Sequence, residues 1–111
     1  MKFDLPEIQR EYARLRERLV QVDWISQGYV QDRGPGAGGP CYQWTRKVRG
    51  KTVSVALSKE QYAALREAIA GWRKVEAILD RMQQLTRQMI FGTLPDARRR
   101  KRLTKRVLGL N

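Results

Sequence analysis

The sequence contains no histidine and only one cysteine, and both absences restrict its chemistry. Without imidazole there is no Ser-His or Cys-His pair and no imidazole metal ligand. Cys41 alone forms neither an internal disulfide nor a zinc site, and a single thiol fits a reducing compartment. We therefore expect a non-enzymatic protein with no cofactor and no metal.

Long apolar runs are absent as well. No stretch reaches the roughly 18 apolar residues of a transmembrane helix. The first 19 residues are charged throughout and lack the apolar run of a signal peptide. These absences predict a cytoplasmic protein without membrane contact, and the length of 111 residues limits it to one domain.

Acidic residues are scarce: 11 stand against 23 basic ones, a net charge of +12. Residues 96–111, the basic tail, hold seven cations and one acid, so half of the net charge lies there. Such an excess favours a polyanionic partner, because each phosphate that is neutralised releases counterions. The tail cations that we predict to bind phosphates are Arg98, Arg99, Arg100, Lys101, Arg102, Lys105 and Arg106.

Residues 41–58 predict an antiparallel hairpin that turns at Arg49-Gly50 and reads CYQWTRKVRGKTVSVALS. This register sets Val48 opposite Lys51 and Trp44 opposite Val55, which gathers aromatic and β-branched residues on one face. We expect the apolar base of this ribbon to pack on a helix. Four basic residues crowd the turn, and we predict that they contact nucleic acid, assisted by Arg33 from the loop of residues 33–40: Arg46, Lys47, Arg49 and Lys51.

Apolar residues at heptad spacing predict a first helix over residues 5–23, capped by Asp4 with Glu7 three residues on. Ser58 and Gln61 form a second capping box that opens a longer helix, over roughly residues 59–91. The two apolar seams are predicted to mediate oligomerisation or docking: Leu5, Ile8, Tyr12, Leu15 and Leu19 in the first helix, and Tyr62, Leu65, Ile69, Trp72, Leu79, Met82 and Met89 in the second.

The seam of the second helix slips in register near Gly71, a residue that can also admit another backbone closely. Beyond the slip, we expect residues 79–91 to have no partner within the chain, because the first helix is much shorter. This mismatch predicts a homo-oligomer or a subunit of a larger nucleoprotein complex.

The elements together predict a mainly α chain with a small β-hairpin. Two long amphipathic, coiled-coil-like helices are expected to flank a two-stranded antiparallel ribbon. The predicted division is a helix–hairpin–helix domain over residues 1–95 and a basic C-terminal tail over residues 96–111. The leucines of the tail allow a short amphipathic helix to form on binding.

The hairpin and its exit resemble a family of small uncharacterised bacterial and archaeal proteins. Residues 39–48 read GPCYQWTRKV, residues 50–53 read GKTV and residues 57–61 read LSKEQ. The family carries G-P-Y-Y-x-W-T-R-K-V-x-G-K-T-V, then L-S-x-E-Q and a long helix, and its members are often associated with transposons. The likeness covers roughly residues 24–90.

The chain departs from this family at one place. Members often carry a cysteine-rich stretch ahead of the G-P-Y-Y segment, whereas residues 29–36 here read YVQDRGPG, and Cys41 falls where the first tyrosine is usual. The resemblance implies association with a mobile element and adds no catalytic residue.

Three functions remain open at this level. The leading hypothesis is a nucleic-acid-binding accessory protein of a mobile element or defence-like system, gripping DNA or structured RNA by phosphate contacts. The second is an oligomeric scaffold or activator subunit of a transposase, nuclease or reverse transcriptase. The third is a small DNA-binding regulator, which requires a discrete operator.

Overall fold

In the computed structural model, residues 4–36, 39, 41–98 and 101–111 are described. The element order is α1 (Leu5–Val20), β1 (Tyr29–Asp32), β2 (Tyr42–Val48), β3 (Lys51–Leu57), α2 (Lys59–Thr93) and α3 (Lys105–Leu108). The structure is therefore mixed, with a dominant long helix and a three-stranded antiparallel sheet in the order β1-β2-β3.

The chain divides into two compact units. The helical unit comprises the described residues up to Gln21 and those from Glu76 onward, and the sheet unit is Val22–Val75. Helix α2 runs through the boundary, with its first part in the sheet unit and its second part in the helical unit. The basic tail, residues 96–111, belongs to the same unit as α1.

The helical unit is built on α1, whose start follows the predicted cap. The Asp4 side chain accepts a hydrogen bond from the Glu7 amide at 3.4 Å, and Pro6 lies in the first turn. The helix ends at Val20, three residues before the predicted end. Its apolar seam is confirmed as the buried side, since Ile8 and Leu15 are the buried residues of α1.

The second part of α2 meets this seam within the same chain. Ile8 and Leu15 form one buried cluster with Ile78, Met82 and Leu85, and Tyr12, Leu19 and Met89 pack around it. The prediction that residues 79–91 have no partner within the chain is therefore wrong. The slip of register is the reason: it turns this part of α2 toward α1 through Ile78 and Leu85, while Leu79 remains 39% exposed.

Polar contacts fix the edge of this cluster. Arg81 grips Glu11 with two donors, Nη2 reaching Oε1 at 3.0 Å and Nε reaching Oε2. Its Nη1 also donates to Oε1 of Gln84, whose amide nitrogen donates to Asp80. Gln84 is 2% exposed, and these two bonds satisfy the side chain that burial would otherwise penalise.

Helix α3 is already formed in the free chain, where we expected a tail helix only on binding. Thr104 caps its start by accepting from the Val107 amide at 3.2 Å. Gly109, with φ of 69°, ends it, and the Leu110 amide returns to the Lys105 carbonyl at 2.8 Å. Burial of Leu108 and Leu110 supplies the stabilisation that so short a helix lacks alone.

The sheet unit confirms the predicted hairpin and adds a strand. Val48 lies opposite Lys51 and Trp44 opposite Val55, as predicted. The two-stranded ribbon is wrong, because Tyr29–Asp32 pairs with the outer side of β2, Val30 opposite Trp44. The capping box of α2 is confirmed, since Ser58 and Gln61 exchange side-chain to amide bonds at 2.9 and 3.1 Å.

The segment that precedes β1 crosses α2 at the glycine where the seam slips. A Cβ on Gly71 would lie 3.2 Å from the Trp24 carbonyl oxygen and 3.5 Å from Ile25. The Ser26 amide donates to the Ala68 carbonyl at 3.1 Å. Gly71 therefore admits a neighbouring backbone, as its position predicted.

Within the described ranges, no helix has the length and apolar character needed to cross a membrane.

Candidate nucleic-acid interface

The tip of the β2–β3 hairpin is a two-residue turn with an uncommon backbone. Arg49 has φ of 50° and Gly50 has φ of 81°, the pair of positive values that a type I′ turn requires. Glycine adopts this region freely, but an arginine pays roughly 1–2 kcal/mol for it. The turn thus holds a cationic side chain at the extreme end of the ribbon.

The four predicted tip cations, Arg46, Lys47, Arg49 and Lys51, are all exposed. Residues 42–57 contain no carboxylate that could neutralise them within the hairpin. Their positions along the two strands are fixed by ladder pairing, Arg46 opposite Val53 and Lys47 opposite Thr52. The arrangement is a positively charged, two-stranded projection of a width that a nucleic-acid groove admits.

Trp44 orients one of these cations. Its ring nitrogen donates to the Gln27 carbonyl at 3.0 Å, which fixes the indole against the chain before β1. The Arg46 guanidinium carbon lies 5.0 Å from the centroid of the indole, within cation–π range. Arg46 therefore lies against an indole ring whose own position is fixed by a hydrogen bond.

Gly28 makes this position of Trp44 possible. Its φ is +103°, and a Cβ there would lie 2.5 Å from the Trp44 ring nitrogen and 2.7 Å from the Thr45 carbonyl oxygen. The backbone and the side chain of β2 leave no room for any other residue. The sequence analysis missed this glycine, although it had placed Trp44 on the apolar face of the hairpin.

The apolar face of the hairpin packs on a helix at its base, as predicted, where the ring centroid of Tyr42 lies 4.8 Å from that of Tyr62 on α2. Val53 and Val55 on that face are 38% and 43% exposed, whereas the buried strand residue, Thr45 at 6%, lies on the opposite face and bonds to Ser54 at 3.1 Å. Trp44, farther along the same face, donates to the Gln27 carbonyl, and the valines of the edge strand β3 remain exposed.

Arg33 is not part of the tip. It follows β1 at the end of the sheet where Asp32 lies opposite Tyr42, and its amide donates to the Cys41 carbonyl at 2.7 Å. The seven residues of β2 separate this end from the turn by roughly 20 Å. Arg33 is exposed on the loop that follows β1, and its predicted contribution to nucleic-acid binding from that loop stays a prediction.

The basic tail presents its described cations outward. Arg98, Lys101, Arg102, Lys105 and Arg106 are exposed, whereas Leu108 and Leu110 beside them are buried. The Gly109 carbonyl accepts from Arg87 at 3.4 Å, a further tie to α2. Arg99 and Arg100 lie outside the described residues. The tail is thus anchored by its leucines, and its described cations face solvent.

The residues predicted to form an oligomer interface serve mainly as the chain's own packing. Ile8, Leu15, Ile69 and Met82 are buried in the single chain. Most of the others are half-buried, and Leu79 is exposed: the half-buried residues are Leu5, Tyr12, Leu19, Tyr62, Leu65, Trp72 and Met89. Packing within one chain therefore accounts for most of the apolar residues in the two seams. Oligomerisation stays a prediction.

A shallow cleft in the sheet unit carries further cations that the sequence analysis passed over. Arg66 and Arg73 line it from α2, beside Tyr29 of β1 and Tyr62 of α2. The seven-residue spacing of the two arginines places them on one face of α2, but it did not single them out, because exposed charges on helices usually face solvent.

Cys41 is a free, half-buried thiol, and no three acidic or cysteine residues of the described part form a group that could hold a metal.

Comparison of the chain with protein-family models, with curated proteins and with solved structures finds no match. The kinship with transposon-associated proteins, which rests on the hairpin motif, stays a prediction.

Proposed function

We propose that this chain is a non-catalytic nucleic-acid-binding accessory protein of a mobile element or defence-like system, and that it grips DNA or structured RNA through phosphate contacts. One observation carries the proposal: the hairpin tip holds four exposed cations on a fixed turn, with no carboxylate in residues 42–57 and with Arg46 oriented by Trp44. The exposed tail cations supply a second basic surface.

The tip cations are suited to contact the charged phosphates of a nucleic acid rather than the edges of its bases. Lysine and arginine side chains on a turn reach phosphates readily, and such contacts position a protein without reading sequence. The affinity should therefore be weakly sequence-dependent and strongly salt-dependent. The deep, narrow major groove of RNA helices makes base reading unfavourable there, so RNA would be gripped by shape and phosphates.

The test is fluorescence anisotropy with a duplex DNA and an RNA hairpin between about 50 and 200 mM salt. Four glutamines replace the tip cations Arg46, Lys47, Arg49 and Lys51 in one variant. We expect the slope of log affinity against log salt to become less negative by about 3 to 4. The matched control replaces four exposed cations elsewhere with glutamine: Arg10, Arg18, Lys59 and Lys74.

The control should change the slope by less than about 1. Equal losses in the two variants would show that net charge alone drives binding and would refute the tip as an interface. Absence of salt-dependent binding in the unaltered protein would refute the function itself. The tail is tested by glutamine substitution of its exposed cations rather than by deletion, because deletion would also remove the buried Leu108 and Leu110.

A scaffold or activator subunit of a transposase, nuclease or reverse transcriptase is the second candidate. The observation that favours it is the uncovered edge strand β3, where Val53 and Val55 are 38% and 43% exposed. Sedimentation at several concentrations separates the two: replacement of both valines by threonine should abolish any self-association of a scaffold and leave nucleic-acid affinity unchanged.

A further inference from the structure

A cleft of about 330 Å³ lies between β1 and the first part of α2, wholly within the sheet unit. Its volume is at the low end of small-ligand sites, roughly 300–1,000 Å³. A space of this size takes one or two nucleotide units and excludes a folded domain or a duplex. Its occupant therefore differs in kind from the partner proposed for the hairpin tip.

The α2 wall of the cleft presents one stripe of the helix. Tyr62, Arg66, Ile69 and Arg73 follow one another at spacings of four, three and four residues, the periodicity of a single face. Arg66 and Arg73 are about 10 Å apart along the axis. This separation suits two phosphates of one strand better than a single phosphate group.

Both guanidinium groups are available to a ligand. Arg66 and Arg73 are exposed, and neither makes a hydrogen bond or ion pair with any described residue. No carboxylate is among the residues that line the cleft. The cleft is therefore positively charged and has no internal counterion.

Aromatic rings and an apolar floor complete the cleft. Ile69, 5% exposed, contributes to its floor, and Tyr29 contributes a ring that is 53% exposed. Tyr62 is held in place by Tyr42, with ring centroids 4.8 Å apart. A base stacks on such rings only when it is unpaired, because the faces of duplex bases are already covered.

Resting on the proposed function, we infer that this cleft binds unpaired nucleotides of a single-stranded nucleic acid. Tyr29 and Tyr62 stack against a base, and Arg66 and Arg73 bind the flanking phosphates. The hairpin tip and the cleft then recognise different forms of nucleic acid, so the protein suits a junction where a duplex and a single strand meet.

The test compares a twelve-nucleotide oligothymidine with a duplex DNA by fluorescence anisotropy. Arg66→Gln with Arg73→Gln should lower affinity for the single strand at least tenfold and affinity for the duplex by less than about twofold. Tyr29→Ala should lower single-strand affinity about 5- to 150-fold, the range that corresponds to loss of one stacking ring. The matched control is Lys59→Gln with Lys74→Gln, which removes the same charge from α2 outside the cleft.

Each remaining outcome decides the inference. If the arginine variant and the control lose single-strand affinity equally, the cleft is no site, and the tip can still bind duplex. If the unaltered protein binds neither probe, the cleft and the proposed function fail together. If thymidine monophosphate competes as strongly as the oligonucleotide, the site serves free nucleotides and the single-strand assignment is overturned.

Discussion

The helical unit and the sheet unit present their cations on scaffolds of different kinds. In the helical unit, Ile8, Leu15, Ile78, Met82 and Leu85 form a buried cluster, and the tail charges stand beside leucines that are buried as well. Among the described residues of the sheet unit, those that are buried are Thr45, Ile69 and Val75, and the strands are ordered chiefly by their ladders. The tail therefore depends on apolar burial, and the tip depends on backbone geometry.

The two basic surfaces should therefore respond to different perturbations. Loss of apolar volume should loosen the tail and leave the hairpin register intact, since strand pairing and the I′ turn are local. Backbone strain near β1 should disturb Trp44 and Arg46 while the helical cluster persists. Substitutions in each unit test whether this separation holds.

The largest effect is expected from Leu85→Ala in the helical unit. Leu85 is 1% exposed, so truncation leaves a cavity in the buried cluster. The expected loss is about 2–5 kcal/mol of the free energy of unfolding, measured by urea denaturation. The control is Leu79→Ala on the same helix, where 39% exposure predicts a loss below about 1 kcal/mol. Equal losses would contradict the assignment of the core.

The next largest effect is expected from Gly28→Ala in the sheet unit. The new Cβ would collide with the Trp44 ring nitrogen and the Thr45 carbonyl, and the φ of +103° adds strain. The expected cost is about 1–3 kcal/mol, with a change in tryptophan fluorescence as the indole moves.

Gly36→Ala is the matched control for this substitution. Gly36 also has a positive φ, of +82°, but nothing lies within 4 Å of the added Cβ. It should cost about 1 kcal/mol and leave the tryptophan emission unchanged. If both variants behave alike, contact with Trp44 is not what requires glycine at position 28.

The same contrast explains how much could be predicted from the sequence. The hairpin register followed from local information. Arg49-Gly50 fixes a two-residue turn, and the alternation of apolar and polar residues on either side of it assigns each residue to a face. Both helix caps followed in the same way. Strand β1 was missed because its four residues carry too little alternation to stand out from a loop.

Long-range packing was harder to predict than local structure. The seam of α1 was recognised, but its partner was not, since heptad spacing does not say which part of α2 it meets. Gln84 illustrates the difficulty. A polar residue in a sequence pattern is normally assigned to the surface, but Gln84 is 2% exposed and is buried because it bonds to Asp80 and Arg81. The cleft arginines were missed because helix spacing alone does not place them beside β1.

The smallest effect is expected from the ion pair in the helical unit. The hydrogen bonds from Arg81 hold the pKa of Glu11 below its ordinary value of 4.5, against a smaller opposing effect of burial. A carboxyl whose folded pKa is lowered stabilises the fold above its unfolded pKa and loses that contribution as the pH falls through the folded value. Both side chains are partly exposed, at 30% and 38%, so the contribution stays below about 1 kcal/mol.

Glu11→Gln measures this contribution directly, because glutamine keeps the shape and cannot titrate. Urea denaturation should show the unaltered protein more stable than the variant near neutral pH, with the difference shrinking as the pH falls below 4.5 toward the folded pKa of Glu11. Comparison with the variant cancels the titration of the other carboxylates. A difference that stays constant down to acid pH would mean that Arg81 does not lower the pKa of Glu11, and the edge of the helical cluster would then be held by Gln84 and apolar burial without a contribution from charge.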